Sequence, residues 1–109
     1  MKNLNVNDVV ERSMKIREKY HLLENKYHGN QWTVEEDALA FLTDAGLIGR
    51  LTMSQQGRWP TDADGISQLK HKLGECMWWI TVLSKRMDID INEALGTFLV
   101  ETEKKLSID

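Results

Sequence analysis

The sequence predicts an all-α protein, a helical bundle of about four helices, and three observations lead there. Apolar residues recur at steps of three and four along several long segments, residues suited to helix caps stand at their starts, and no strand-like alternation of useful length occurs. Neither internal repeats nor low-complexity tracts interrupt the pattern.

The bulk numbers agree. A chain of 109 residues with one proline reads as a single domain, 1–109, with one core. Hydrophobic residues make up 41% and charged residues 28%, a globular rather than a disordered composition. A net charge of −3 and the lack of a basic stripe argue against nucleic acid as a partner. One cysteine, Cys76, excludes an internal disulfide and suits a reducing compartment. The start of the chain has no signal-peptide-like apolar core, and no apolar run nears the roughly 20 residues of a membrane span, so a cytoplasmic location is expected.

The first helix is expected from about Asn7 to Tyr27, capped by Asn5 or Asn7 and ended by Gly29. Val6, Val9, Val10, Met14, Ile16, Tyr20, Leu23 and Tyr27 form an uneven apolar stripe among charges, as on a surface-lying amphipathic helix. After the joint His28-Gly29-Asn30-Gln31-Trp32, Thr33-Val34-Glu35-Glu36 fits a capping box, and helix two is expected from Val34 to about Ser54. Its interior holds Gly46 and Gly49, each costing about 1 kcal/mol relative to Ala, so either another helix backbone approaches there or the helix bends.

Residues 55–65 form the longest irregular segment. In helix three, Ile66, Leu69, Leu73, Cys76, Met77, Ile80, Leu83 and Met87 give the clearest helical periodicity, with Lys72, Glu75, Trp79, Val82 and Arg86 on a second face. An interior helix flanked on two sides is expected. Helix four opens at Asp90-Ile91-Asn92-Glu93, a D-x-x-E cap, and is expected to reach about Leu106.

The stretch from Ala38 to Gly49 carries one charge in twelve residues, Asp44. A lone buried carboxylate costs several kcal/mol unless compensated, so Asp44 requires a partner. Antiparallel packing of helices two and three brings Asp44 near Lys72 and Glu75. Either Asp44 pairs with Lys72 as a buried salt bridge, or Asp44 and Glu75 ligate a hard divalent cation such as Mg²⁺. Asp37 and Glu36, seven and eight residues before Asp44, are possible auxiliary ligands. His71 shares a face with Glu75 but is a weak metal signal, and Cys76 falls on the apolar stripe. Of Trp78 and Trp79, roughly 100° apart, only one can face the same core. Arg58-Trp59-Pro60 either holds a phosphate or base over the end of the bundle or plugs its core. No nucleophilic triad and no glycine-rich phosphate cradle is present.

From Trp32 to Leu95 the chain resembles the MazG-like group of all-α nucleoside triphosphate pyrophosphohydrolases. FLTDAGLIGRL in helix two looks like the family's first metal-helix signature, with Gly46 matching its glycine. KLGECMWWITVLSKRMDIDINEAL is similar to the second metal helix, and Asp88-Ile89-Asp90 lines up with a glycine–isoleucine–aspartate turn. The resemblance implies a bundle completed by oligomerisation, a homodimer or a tetramer, binding a nucleoside triphosphate with Mg²⁺ as cofactor. In the family, E-x-x-E and E-x-x-D hold the metal that activates water and releases pyrophosphate. Here Asp44 matches the first ligand and Glu75 the fourth, while Leu47 replaces the second and Lys72 the third. Weak, altered or lost hydrolysis is the activity this implies, with Arg58, Trp59, Lys70 and Lys72 as contacts for base and phosphates. The alternatives are a non-catalytic scaffold built on an Asp–Lys–Glu network, or a small-molecule binder using Trp78 or Trp79. Helix two, apolar on nearly every side, itself calls for a covering copy.

Overall fold

Asp37 on one helix meets Arg86 on another, and Asp44 meets Lys72 and Trp79, so the two helices that carry them run antiparallel. They are α2 (Val34–Gln55) and α3 (Gly65–Arg86) of a four-helix chain that also holds α1 (Val6–His28) and α4 (Ile91–Lys105). The computed structural model describes residues 3–60 and 64–109, is 79% helical, and has no strand among the described residues. Residues 61–63, in the expected 55–65 joint, lie outside the described residues. No described helix is long and apolar enough to cross a membrane.

The local chemistry explains the boundaries. Asn5 caps α1 by accepting from Asp8 N–H, and Gly29 ends it in the left-handed region at φ 82°. Thr33 and Glu36 form the reciprocal capping box, with Glu36 Oε1 accepting from Thr33 N–H at 2.9 Å and Thr33 Oγ1 from Glu36 N–H at 3.1 Å. Asp90 accepts from the N–H groups of Asn92 and Glu93 to start α4. α3 ends in a Schellman turn: Ile89 N–H reaches Ser84 O, Asp88 N–H reaches Lys85 O, and Asp88 has φ 62°. Glycine is the usual residue at such a position, and Asp is one of the few others that tolerates it.

α3 packs between α2 and α1, as an interior helix flanked on two sides should, but only its second face is buried there. Cys76, Trp79 and Val82 are the buried hydrophobic residues among those described, while Ile66, Leu73, Met77, Ile80 and Met87 of the apolar stripe are exposed. The ion-bearing second face turns inward because its charges find partners there. α1 departs in the same sense: its buried residues are Ser13 and Arg17, and Ile16, Tyr20, Leu23 and Tyr27 stay exposed. An added Cβ at Gly46 or Gly49 meets nothing within 4 Å, so no backbone of the same chain approaches them closely. Cys76, at the edge of the stripe that adjoins Trp79, is buried. α4 touches α1 and α3 only slightly, and none of its residues is buried.

Candidate functional site

Two ion networks lie along the inner face of α3. The first is central. Lys72 Nζ donates to Asp44 Oδ1 and to Glu75 Oε1, each at 2.9 Å, and Trp79 Nε1–H donates to Asp44 Oδ2 at 2.9 Å. Both oxygens of Asp44 are therefore engaged. Hydrogen bonds to Glu75 and Asp44 raise the Lys72 ammonium above its ordinary range, and burial works weakly against them. Burial and the two nearby carboxylates push the Cys76 thiol up, so it stays protonated. Trp79 is the tryptophan of the pair that enters the core; Trp78 is half-buried, with its Nε1–H on Ser13 O at 3.3 Å.

The donor set does not fit Mg²⁺. A magnesium ion requires near-octahedral oxygen ligands, whereas an ammonium already takes one oxygen of each acid and an indole N–H takes another. Leu47 offers no donor atom. The two auxiliary acids are occupied elsewhere: Glu36 closes the capping box, and Asp37 belongs to the second network. Among the described residues no group of three or more His, Cys, Asp or Glu side chains is arranged to hold a metal ion.

The second network joins side chains of α1, α2 and α3. Asp37 has no solvent exposure, and Arg17 is 1% exposed. Arg17 Nη2 donates to Asp37 Oδ1 at 2.7 Å, its Nε to Oδ2 at 3.2 Å, and Arg86 Nη1 donates to Oδ2 at 2.8 Å. Arg17 Nη1 also donates to Glu24 Oε2 at 2.8 Å, and Glu24 Oε1 accepts from Trp32 N–H at 2.8 Å. Arg86 Nη1 donates to Trp32 O at 3.1 Å, so the α1–α2 joint is held from both sides. Two guanidinium groups and two carboxylates balance, which is the condition for burying such charges. Burial alone would raise the Glu24 carboxyl, but hydrogen bonds from Arg17 and Trp32 outweigh it and hold it below the usual range. Burial also opposes the Arg17 charge, yet hydrogen bonds to Asp37 and Glu24 raise its affinity for the proton. His21 stands beside this cluster with Nε2 buried and unpaired, and burial together with Arg17 and Arg86 lowers its pKa. The signal for this cluster was a polar stripe at helical spacing on α1: Ser13, Arg17, His21 and Glu24.

The remaining expected contacts disperse. Trp59 is exposed and stacks under Arg50, whose Cζ lies 4.4 Å from the ring centroid. Arg58 follows the end of α2, itself about 16 Å along the helix axis from Asp44. Lys70 is exposed but lines a shallow cleft beside Glu75 and Trp78. His71 is exposed, with Nε2 3.8 Å from Glu75. A cavity of about 340 Å³ opens between α1 and α3, where Tyr20, Trp32, Trp78 and Trp79 form the aromatic walls.

No protein-family model matches the chain, and no curated protein or solved structure shows significant similarity to it.

Proposed function

We propose that this is a MazG-like helical protein of the nucleoside triphosphate pyrophosphohydrolase type in which an ion network stands in the place of the metal centre, and that it acts as a non-catalytic helical module. The single observation that supports this is Lys72 Nζ, 2.9 Å from both Asp44 and Glu75. An ammonium there neutralises the charge that a divalent cation would neutralise, and it occupies the oxygens such a cation would need. The left-handed Asp88 is in keeping with the resemblance, since it stands where the family's turn has glycine.

A pyrophosphate-release assay over the ribo- and deoxyribonucleoside triphosphates, with Mg²⁺ or Mn²⁺ at high protein concentration, tests the reading. No turnover is expected. Turnover that vanishes in Asp44→Asn and Glu75→Gln would overturn it and establish a working two-carboxylate enzyme.

The aromatic cavity favours one second reading, a binder of a small planar molecule. Its volume of about 340 Å³ lies in the range of small-ligand pockets. Titration with nucleosides, followed by tryptophan fluorescence, tests it: saturable quenching in wild type that is absent in Trp78→Leu supports binding there.

A further inference from the structure

We infer that the aromatic cavity between α1 and α3 binds a small organic cation, an alkylated ammonium free in solution, with Tyr20 and Trp78 as walls and Glu75 as counter-charge. The inference rests on the second reading above in one respect, that this cavity holds a small molecule. It goes further by naming that molecule's charge. In the network that joins three helices, Arg17 and Arg86 balance Asp37 and Glu24. The central network does not balance: Lys72 alone faces Asp44 and Glu75, which leaves a negative charge over. Both oxygens of Asp44 are taken, by Lys72 and Trp79. On Glu75, Lys72 and the exposed His71 both approach Oε1, and Oε2 accepts no hydrogen bond among the described residues. Glu75 lines the cavity, so the acid with the spare oxygen is one that a ligand can reach.

The walls suit the same charge. The rings of Tyr20 and Trp78 stand 6.0 Å apart at 63°, and those of Trp78 and Trp79 4.6 Å apart at 59°. Successive ring faces are therefore inclined and surround a compact group on several sides. Such faces attract a cation within about 6 Å of the centroid. The cavity already does this with its own side chain: Arg17 Cζ lies 6.0 Å from the Trp32 centroid and 5.7 Å from that of Trp79. Arg17 is buried and neutralised by Asp37 and Glu24. Tyr20 and Trp78 have no cation over them among the described residues. Lys70 lies on the neighbouring cleft, exposed to water, and does not line the cavity. A volume of about 340 Å³ is enough for a whole small molecule.

Isothermal titration calorimetry of the full chain tests the inference, with choline, tetramethylammonium, adenosine and the uncharged isostere of choline that has carbon in place of nitrogen. Both cations should bind saturably, and the isostere about tenfold more weakly or worse. Glu75→Gln keeps the side chain's shape and should weaken choline binding by about tenfold. Tyr20→Leu, at a half-exposed position, should weaken it by about fivefold. Thermal melts report that both variants still fold. An isostere that binds as tightly as choline overturns the inference, and so does a folded Glu75→Gln whose choline affinity is unchanged. Adenosine binding without cation binding also overturns it, while leaving the small-molecule reading in place. Binding of none of the four removes both. Sedimentation with phosphatidylcholine vesicles, without uptake of free choline, would assign the site to a lipid surface and overturn the proposal too.

Discussion

Arg17 grips Asp37 at two points, 2.7 and 3.2 Å, across twenty residues of sequence and with almost no solvent access to either side chain. Breaking a buried pair by removing one partner leaves the other charge uncompensated. Asp37→Asn should therefore destabilise the fold by about 3–5 kcal/mol. Arg17→Met should cost a comparable amount, because Asp37 would keep only Arg86 and Glu24 only the Trp32 N–H. The double variant Arg17→Met/Asp37→Leu should recover only part of the loss: the fully buried pair is gone, but the largely buried Glu24 and Arg86 lose their ionic partners. Urea unfolding followed by tryptophan fluorescence measures all three.

Lys72 is less buried than Arg17, and its loss should cost less. Lys72→Met leaves Asp44 with only the Trp79 donor and removes hydrogen bonds to charged groups worth about 1.5–3 kcal/mol in well-shielded settings. Solvent access at Lys72 and Glu75 places the expected loss at the low end of that range. Lys72→Glu should cost more, because three carboxylates would then face one another. If added Mg²⁺ restored the stability of Lys72→Glu but not of wild type, the lysine would be identified as the feature that keeps metal out. Thermal melts with and without Mg²⁺ give the answer.

Below the arginine range the pH profile follows from four shifted groups, Glu24, His21, Cys76 and Lys72. Glu24 is held low in the folded state, so its contribution is complete above the ordinary Glu range, about 4.3, and is lost as pH falls through the lower folded value. His21 is also lowered, so the unfolded chain protonates first below about 6.5 and stability declines in that direction as well. Lys72 is raised, and its contribution is present below about 10.4 and lost as pH rises through the higher folded value. Stability should form a plateau from roughly neutral pH to about 8.5, above which the unfolded Cys76 thiol ionises before the folded one, with its acid shoulder starting at the histidine. In His21→Leu that first shoulder should disappear while the lower, carboxylate-driven loss stays. Urea midpoints measured across pH test the shape.

Asp88 holds a left-handed conformation that glycine adopts without penalty. Asp88→Gly should stabilise the α3–α4 turn, by up to about 1 kcal/mol, with the greater flexibility of glycine in the unfolded chain offsetting part of the gain. Asp88→Val should destabilise by more than that, since a β-branched side chain clashes there. Differential scanning calorimetry resolves both.

Local chemistry was legible in the linear sequence wherever one short segment contains both halves of an interaction. The Thr33–Glu36 box, the Asp90 cap and the Gly29 stop each need only neighbours on the chain, and each forms. The all-α class followed from periodicity, and Asp44 called for a partner because a lone charge in an apolar helix is costly. What periodicity did not decide was which of the two faces of α3 the chain itself covers. The apolar stripe of α3 is regular, yet the face that packs within the chain is the one carrying Lys72, Glu75, Trp79 and Arg86.

The sequence by itself determined where helices begin and end and that Asp44 cannot stand alone. Tertiary structure decided which charges meet. Arg17, Asp37 and Arg86 lie on three helices, and only packing those helices together sets two guanidinium groups on one carboxylate. It also decided that an ammonium, held at 2.9 Å by Asp44 and Glu75, bridges α2 and α3 at a partly buried point. The physical reason is range: caps and turns act over a few residues, whereas charge compensation in a low-dielectric interior acts between atoms that the fold alone brings within 3 Å.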